Sequence, residues 1–180
     1  MEFLNTDIEG LKIIKPKVFV DPRGYFFESY NKQQFDQNGI DVNFVQDNES
    51  LSEKGVLRGL HFQKPPYAQG KLVKVIKGAV LDVVVDIRKA SPTYGQHFSI
   101  ELTEENKIQF WVPPGFAHGF LTSENNTIFQ YKCTQFYNKD SEDAILWNDS
   151  TLNINWRIIN PKISEKDKEA KSFNKLVSLF

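Results

Sequence analysis

The chain has 180 residues, 40% of them hydrophobic and 25% charged, with a formal net charge of −1. That length and apolar share fit a single domain with a sizeable core, and near-neutrality gives no pull toward nucleic acid or an anionic membrane surface. Cys133 is the only cysteine, so no intrachain disulfide can form, and no apolar run is long enough to span a bilayer. The opening Met1-Glu2-Phe3-Leu4-Asn5-Thr6-Asp7 carries acid where a signal peptide carries base. These features set the expectation of a cytoplasmic protein.

Along the chain, Asp21-Pro22-Arg23-Gly24 predicts a turn, with proline at its second position and glycine at its fourth. Tyr25 to Ser29 then reads as a strand. Asn31 to Asn38 reads as a short helix capped by Asn31 and stopped by Gly39. From there strands dominate. Leu81, Val83, Val85 and Ile87 alternate with Asp82, Val84, Asp86 and Arg88. Phe98, Ile100 and Leu102 alternate with Ser99 and Glu101, and Ile108, Phe110 and Val112 with Gln109 and Trp111. Turns are predicted at Lys77-Gly78, Ser91-Pro92, Glu105-Asn106, Pro113-Pro114-Gly115 and Asn125-Asn126. Many short strands at this spacing predict a mainly β, antiparallel sandwich or barrel. Ser164 starts a closing helix as N-cap, with Asp167 three residues on.

The segment Gly55 to Lys71 is the most informative for chemistry, because it gathers Arg58, His61 and Lys71. An imidazole near two cations suits moving a proton while stabilising a developing negative charge. A regular strand would send Arg58 and His61 to opposite faces. If both serve one pocket, Gly59 should mark a bulge or sharp twist. In Thr127 to Tyr137, the residues Thr127, Phe129, Tyr131 and Cys133 share a face that Phe129 turns inward. Tyr131 then needs a polar partner or a ligand for its hydroxyl. Each residue also has a plainer reading. His61 could be a core histidine, Asp167 a capping-box carboxylate, Tyr131 a satisfied buried tyrosine, and Lys71 an exposed strand lysine. His97 reads as surface, and Asp86 with Arg88 as a structural pair.

Several separate motifs agree in order and spacing with one family. They include Asp21-Pro-Arg-Gly-Tyr-Phe-Phe-Glu28, Gln46-Asp-Asn-Glu-Ser50, Gly55-Val-Leu-Arg-Gly-Leu-His-Phe-Gln63, Gln69-Gly-Lys-Leu-Val73 and Asp86-Ile-Arg-Lys-Ala-Ser-Pro-Thr-Tyr-Gly95. Pro113-Pro-Gly-Phe-Ala-His-Gly-Phe120, Tyr131-Lys-Cys-Thr134, Trp147-Asn-Asp149 and Ser164-Glu-Lys-Asp167 complete the set. From about Asp21 to about Ala170 the chain resembles the dTDP-4-dehydrorhamnose 3,5-epimerases.

The resemblance implies a cupin-type jelly-roll β-sandwich or barrel with a few short helices, working as a homodimer without metal or other cofactor. One domain over 1–180 is expected. Residues 1–50 would serve the dimer and nucleotide site, 51–137 the jelly-roll core, and 138–180 the C-terminal strands and short helix. The implied substrate is dTDP-4-dehydro-6-deoxy-D-glucose, inverted at C3 and C5 to dTDP-4-dehydro-L-rhamnose, in the making of dTDP-rhamnose for surface polysaccharide. By the same resemblance His61 is the general base, Asp167 its partner, Tyr131 the acid on the opposite ring face, and Lys71 the stabiliser of the enolate. Arg58 and His118 line the sugar and phosphate end. Arg23, Glu28 and the run Gln46, Asp47 and Asn48 match nucleotide-binding positions, with Arg23 and Glu28 reaching across the dimer. Glu142 and Lys166 match further binding positions. Phe136 and Tyr137 stand where the family has an aromatic pair near the thymine, Phe136 where Tyr is common.

The residue types suit that chemistry. Removing a proton beside a ketone leaves an enolate, which a positioned cation stabilises more than it does the ground state. A carboxylate partner fixes the tautomer of an imidazole base. Inversion then needs a proton from the other face. Three alternatives stand beside this reading: an epimerase of a related nucleotide sugar acting at one carbon, a metal-dependent cupin, and a sugar-nucleotide binding module without catalysis. Gln63 breaks the alternate histidine pair that metal cupins show, and the presence of both His61 and Tyr131 argues against a mere binder.

Overall fold

The computed structural model describes residues 1–180. Its strands are β1 (Glu2–Asn5), β2 (Lys12–Lys15), β3 (Phe19–Asp21), β4 (Gly24–Phe26), β5 (Gln46–Ser52), β6 (Leu57–Gln63) and β7 (Lys71–Lys77). There follow β8 (Ala79–Asp86), β9 (His97–Thr103), β10 (Gln109–Val112), β11 (Phe116–Thr122), β12 (Thr127–Cys133) and β13 (Glu142–Ala144). Helix α1 spans Lys32–Gln37 and the single-turn α2 spans Glu165–Lys168. One sheet has the order β1-β2-β10-β7-β12-β5 and faces a second of order β13-β6-β11-β8-β9. The fold is thus the expected mainly β sandwich.

Between the sheets, Val73, Val75 and Phe129 of the first pack on Val80, Val84 and Phe116 of the second. The outer face of the second sheet carries another core. There Leu57, Leu81, Val83 and Val85 meet Leu152, Trp156 and Phe173 from the C-terminal segment. Strand β8 is therefore buried at every residue, on both faces, and its Asp82 and Asp86 lie inside the protein. Asp86 is closed locally: it accepts from the Arg88 guanidinium (2.7 and 2.9 Å) and from the Ser91 and Thr93 hydroxyls (2.6 Å each). Helix α1 seats Phe35 with Ile14, Leu72 and Trp111 on the first sheet's outer face. Asn31 caps it, accepting from the Gln34 N–H at 3.1 Å, and Gly39 ends it at φ +80°.

Two local outcomes matter for the site. Asp21 pairs with Gly24 across a two-residue turn, as expected. The following strand stops at Phe26 rather than Ser29, because β3 and β4 pair only with each other and offer no further ladder. At Gly59 the expected bulge is present. His61 faces His118 and Arg58 faces Phe120, so three steps along β6 match two along β11. Gly59 sits at φ +140°, and a Cβ there would come within 2.5 Å of the Gly119 Cα. Only glycine lets the two backbones approach this closely. The extra residue returns Arg58 and His61 to the same side of the sheet.

Candidate active site

A cavity of about 640 Å³ opens between the sheets, beyond the apolar layer of Val73, Val84 and Phe116. One wall is the first sheet, with Lys71 on β7, Tyr131 on β12 and Asn48 on β5. The facing wall is the second sheet, with Arg58 and His61 on β6 and His118 on β11. The segment Lys162 to Asp167 closes one side. The sheet alternation read from Thr127 to Cys133 holds: Thr127, Phe129 and Cys133 are buried, and Tyr131 lines the cavity.

His61 and Asp167 meet across 106 positions of sequence. His61 Nε2 lies 2.6 Å from Asp167 Oδ1. The nitrogen donates to the ionised carboxylate, which leaves Nδ1 with its lone pair. Asp167 is almost fully buried. Burial alone would raise its pKa, but hydrogen bonding to His61, then to Ser164 and the Gly59 N–H, holds it below the usual carboxylate value. Ser164 Oγ accepts from the Asp167 N–H at 3.2 Å and caps α2. The capping is therefore done by the serine, and the Asp167 side chain is free for His61.

Lys71 forms no ion pair. Its ammonium lies 5.8 Å from the centre of the Tyr131 ring. Burial lowers its pKa, opposed by the negative ends of Cys133, Asp82 and Glu142. The Tyr131 phenol is pushed up, chiefly by burial and then by Cys133, against Asn48 and Arg58. It therefore keeps its proton at neutral pH. Arg58 donates from Nε and Nη2 to Ser52 Oγ at 3.3 and 3.2 Å. It has no carboxylate partner, so its charge is available to an anion. His118 is buried, with Nε2 2.8 Å from Asp82 Oδ2.

A polar chain runs round the mouth. Tyr137 donates its hydroxyl to Glu142 Oε2 at 2.9 Å, and Lys166 pairs with the same carboxylate. Burial would raise the Glu142 pKa, but the hydrogen bonds from Lys166 and Tyr137 bring it below the usual value. Gln46 accepts from the Tyr137 N–H at 2.9 Å and donates to Asn48 at 3.0 Å. Phe136, mostly exposed, sits beside this chain. Gln63 is buried and bonds the Tyr67 and Phe136 carbonyls and the Asn138 N–H, so it fastens the loop behind the mouth.

Three expected site residues lie elsewhere. Arg23 is at the exposed tip of the β3–β4 hairpin, paired with Asp21 at 2.5 Å. Glu28 accepts from Asn31 and Gln34 (3.0 and 2.8 Å) beside α1. Asp47 points to the outer face of β5, where Lys132 holds it at 2.9 Å, because its neighbours Gln46 and Asn48 take the inward positions. Conversely, Ser52 and Asp82 support the site and were not expected there. Ser52 shares the inward parity of Asn48, which could have flagged it. Asp82 stands in an apolar strand, where a carboxylate is itself a signal. Elsewhere, no three His, Cys, Asp or Glu side chains converge as a metal-binding group. No helix is long and apolar enough to cross a membrane.

A profile described as dTDP-4-dehydrorhamnose 3,5-epimerase matches residues 5–175. The chain belongs to that family. Among family members, the dTDP-4-dehydrorhamnose 3,5-epimerase of Shigella flexneri is 51% identical over 174 residues, covering 96% of each chain. Among solved structures, an epimerase from Legionella pneumophila in complex with dTDP-4-keto-L-rhamnose superposes with a TM-score of 0.94 at 48% identity, over 98% of this chain and 94% of that one. A 3′-monoepimerase from Streptomyces bikiniensis, in complex with dTDP-quinovose, reaches 0.88 at 31% identity, over 93% and 85% of the two chains. The same fold is thus found in enzymes named as 3,5-epimerases and in one named as a 3′-monoepimerase.

Proposed function

We propose that this chain inverts C3 and C5 of dTDP-4-dehydro-6-deoxy-D-glucose, giving dTDP-4-dehydro-L-rhamnose for dTDP-rhamnose synthesis. One observation carries the reading: a carboxylate-paired imidazole on one sheet and a protonated phenol on the other flank the same cavity. A hexose ring between them has a base on one face and an acid on the other. His61 Nδ1 removes the proton beside the ketone, and Asp167 stabilises the imidazolium that forms. The electrons move to the C4 oxygen, where Lys71 meets the charge. Tyr131 then gives its proton to the carbon from the opposite face. General acid–base catalysis contributes roughly two to four decades of rate and oxyanion stabilisation a comparable share. Arg58 and His118 take the phosphate and sugar end, and Gln46, Asn48, Tyr137, Glu142 and Lys166 the nucleotide side of the mouth.

The working unit on this reading is a homodimer of one-domain subunits, 1–180, in the cytoplasm. The β3–β4 hairpin supports it: Val20 and Phe26 are 79% and 72% exposed, a poor use of apolar side chains unless another surface covers them. Arg23 and Glu28 lie on or beside this arm, and in the dimer they serve the partner's nucleotide site. A buried free Cys133 fits a reducing compartment.

Proton NMR of the keto sugar with the protein in D2O, with chelator present, tests the proposal. Deuterium entering at both C3 and C5, with a reductase trapping the L-rhamnose configuration, is the expected result. Exchange at one carbon would make the protein a mono-epimerase, and exchange at neither would refute the catalytic reading for this substrate.

A further inference from the structure

Asp82 is an expensive residue where it stands. It is 0% exposed, on a strand whose other residues toward the sheet interface are Val80 and Val84. One carboxylate oxygen meets His118 Nε2 at 2.8 Å, while the other, Oδ1, is buried with no hydrogen-bond partner in the protein. A half-satisfied buried carboxylate costs stability that a valine there would not. Such breaches of core rules concentrate at functional sites. Its one partner, His118, lines the cavity directly across the β6–β11 ladder from His61.

We propose that Asp82 is a positioning residue for the epimerisation, fixing His118 with its Nε2–H turned into the sheet so that Nδ1 is the nitrogen presented to the sugar. The inference rests on the function proposed above. His118 has two ring nitrogens, and Asp82, acting as an acceptor, commits one of them. The imidazole then has a single tautomer and a single orientation when the substrate arrives, with no ordering left to do at that moment. From the opposite sheet the same carboxylate also acts on Lys71 through its charge, which favours the ammonium form. Asp82 itself does not line the cavity and so acts only through these two groups.

The test is Asp82→Asn, which keeps the shape and removes the charge. Its amide can donate to His118 Nε2, which would move the ring hydrogen to Nδ1. Nitrogen-15 NMR of the free variant should show that change of tautomer. kcat/KM should fall by about ten- to a thousandfold, carried by kcat more than by KM, while the melting temperature holds or rises. A lower melting temperature with kcat unchanged would make Asp82 merely structural and overturn the proposal. An unchanged tautomer with kcat also unchanged would overturn it as well. These readouts separate from the parent reading, since that one fails on the wild-type protein alone, if no substrate proton exchanges with solvent.

Discussion

Lys71→Met should make the protein more stable and nearly inactive. Lys71 is a charge drawn out of water at the cavity wall with no carboxylate beside it, and burial is the largest influence on its pKa. Methionine fills a similar volume and carries no charge. Because the ammonium is still partly open to the cavity, relieving it contributes about 1–2 kcal/mol rather than the several expected for full burial. For a chain of this size that corresponds to a melting temperature about 2–8 °C higher. The difference should depend on pH. It is full while Lys71 is charged in the folded and unfolded states. It shrinks as pH climbs through the lowered folded value toward the unfolded value of 10.5, because the fold then holds a neutral amine. Turnover should fall by about 10²–10³, the usual loss for one oxyanion donor. Thermal melts between pH 7 and 10 and rates on the keto sugar measure both. A variant no more stable than wild type at pH 7 would refute the desolvation argument, and near-normal turnover would remove Lys71 from the oxyanion role.

Four further outcomes follow from the geometry. His61→Asn should abolish turnover while leaving dTDP binding largely intact by calorimetry; near-normal turnover would mean that another group is the base. Tyr131→Phe should slow inversion more than solvent exchange, and equal losses in NMR would exclude it as the acid. Asp86 is buried, which would raise its pKa, yet Arg88, Ser91 and Thr93 bring it from 3.8 to about 2, contributing about 2 kcal/mol. That stability is present above pH 4 and is lost as pH falls toward 2, so Asp86→Asn should weaken the protein in denaturant melts at pH 7 and match wild type near pH 2. Val20→Glu, on the exposed hairpin, should shift the mass in light scattering from dimer to monomer and weaken nucleotide binding with it; an unchanged dimer would place the interface elsewhere.

Much of this site was legible in the sequence because strand parity is a strict rule. The conflict between Arg58 and His61 demanded an irregularity at Gly59, and the bulge lies there. Tyr131 was placed inward by Phe129 two residues away. What parity could not show was anything set by distant chain. The alternation through β8 gave no hint that Leu152, Trp156 and Phe173 cover its far face, so Asp82 passed as an ordinary polar position. The pairing of His61 with Asp167 came from resemblance, since nothing local joins them. Asp47 shows the limit of reading a motif as a block: it shares the stretch with Gln46 and Asn48, yet the pleat turns it away to Lys132.

The single-turn helix α2 ties the candidate site to the C-terminal segment. The strands are complete by Ala144, yet one wall of the cavity, from Lys162 to Asp167, comes from the residues that follow. Asp167 arrives on a short peg held by its Ser164 cap, its hydrogen bond to His61 and the β-bridge from Lys162 to Val56. A chain cut or frayed before Ser164 would lose Asp167, the carboxylate paired with His61, and with it Phe173 from the outer core of the second sheet. The same stretch of chain thus closes the cavity, pairs His61 and completes the outer core of the second sheet.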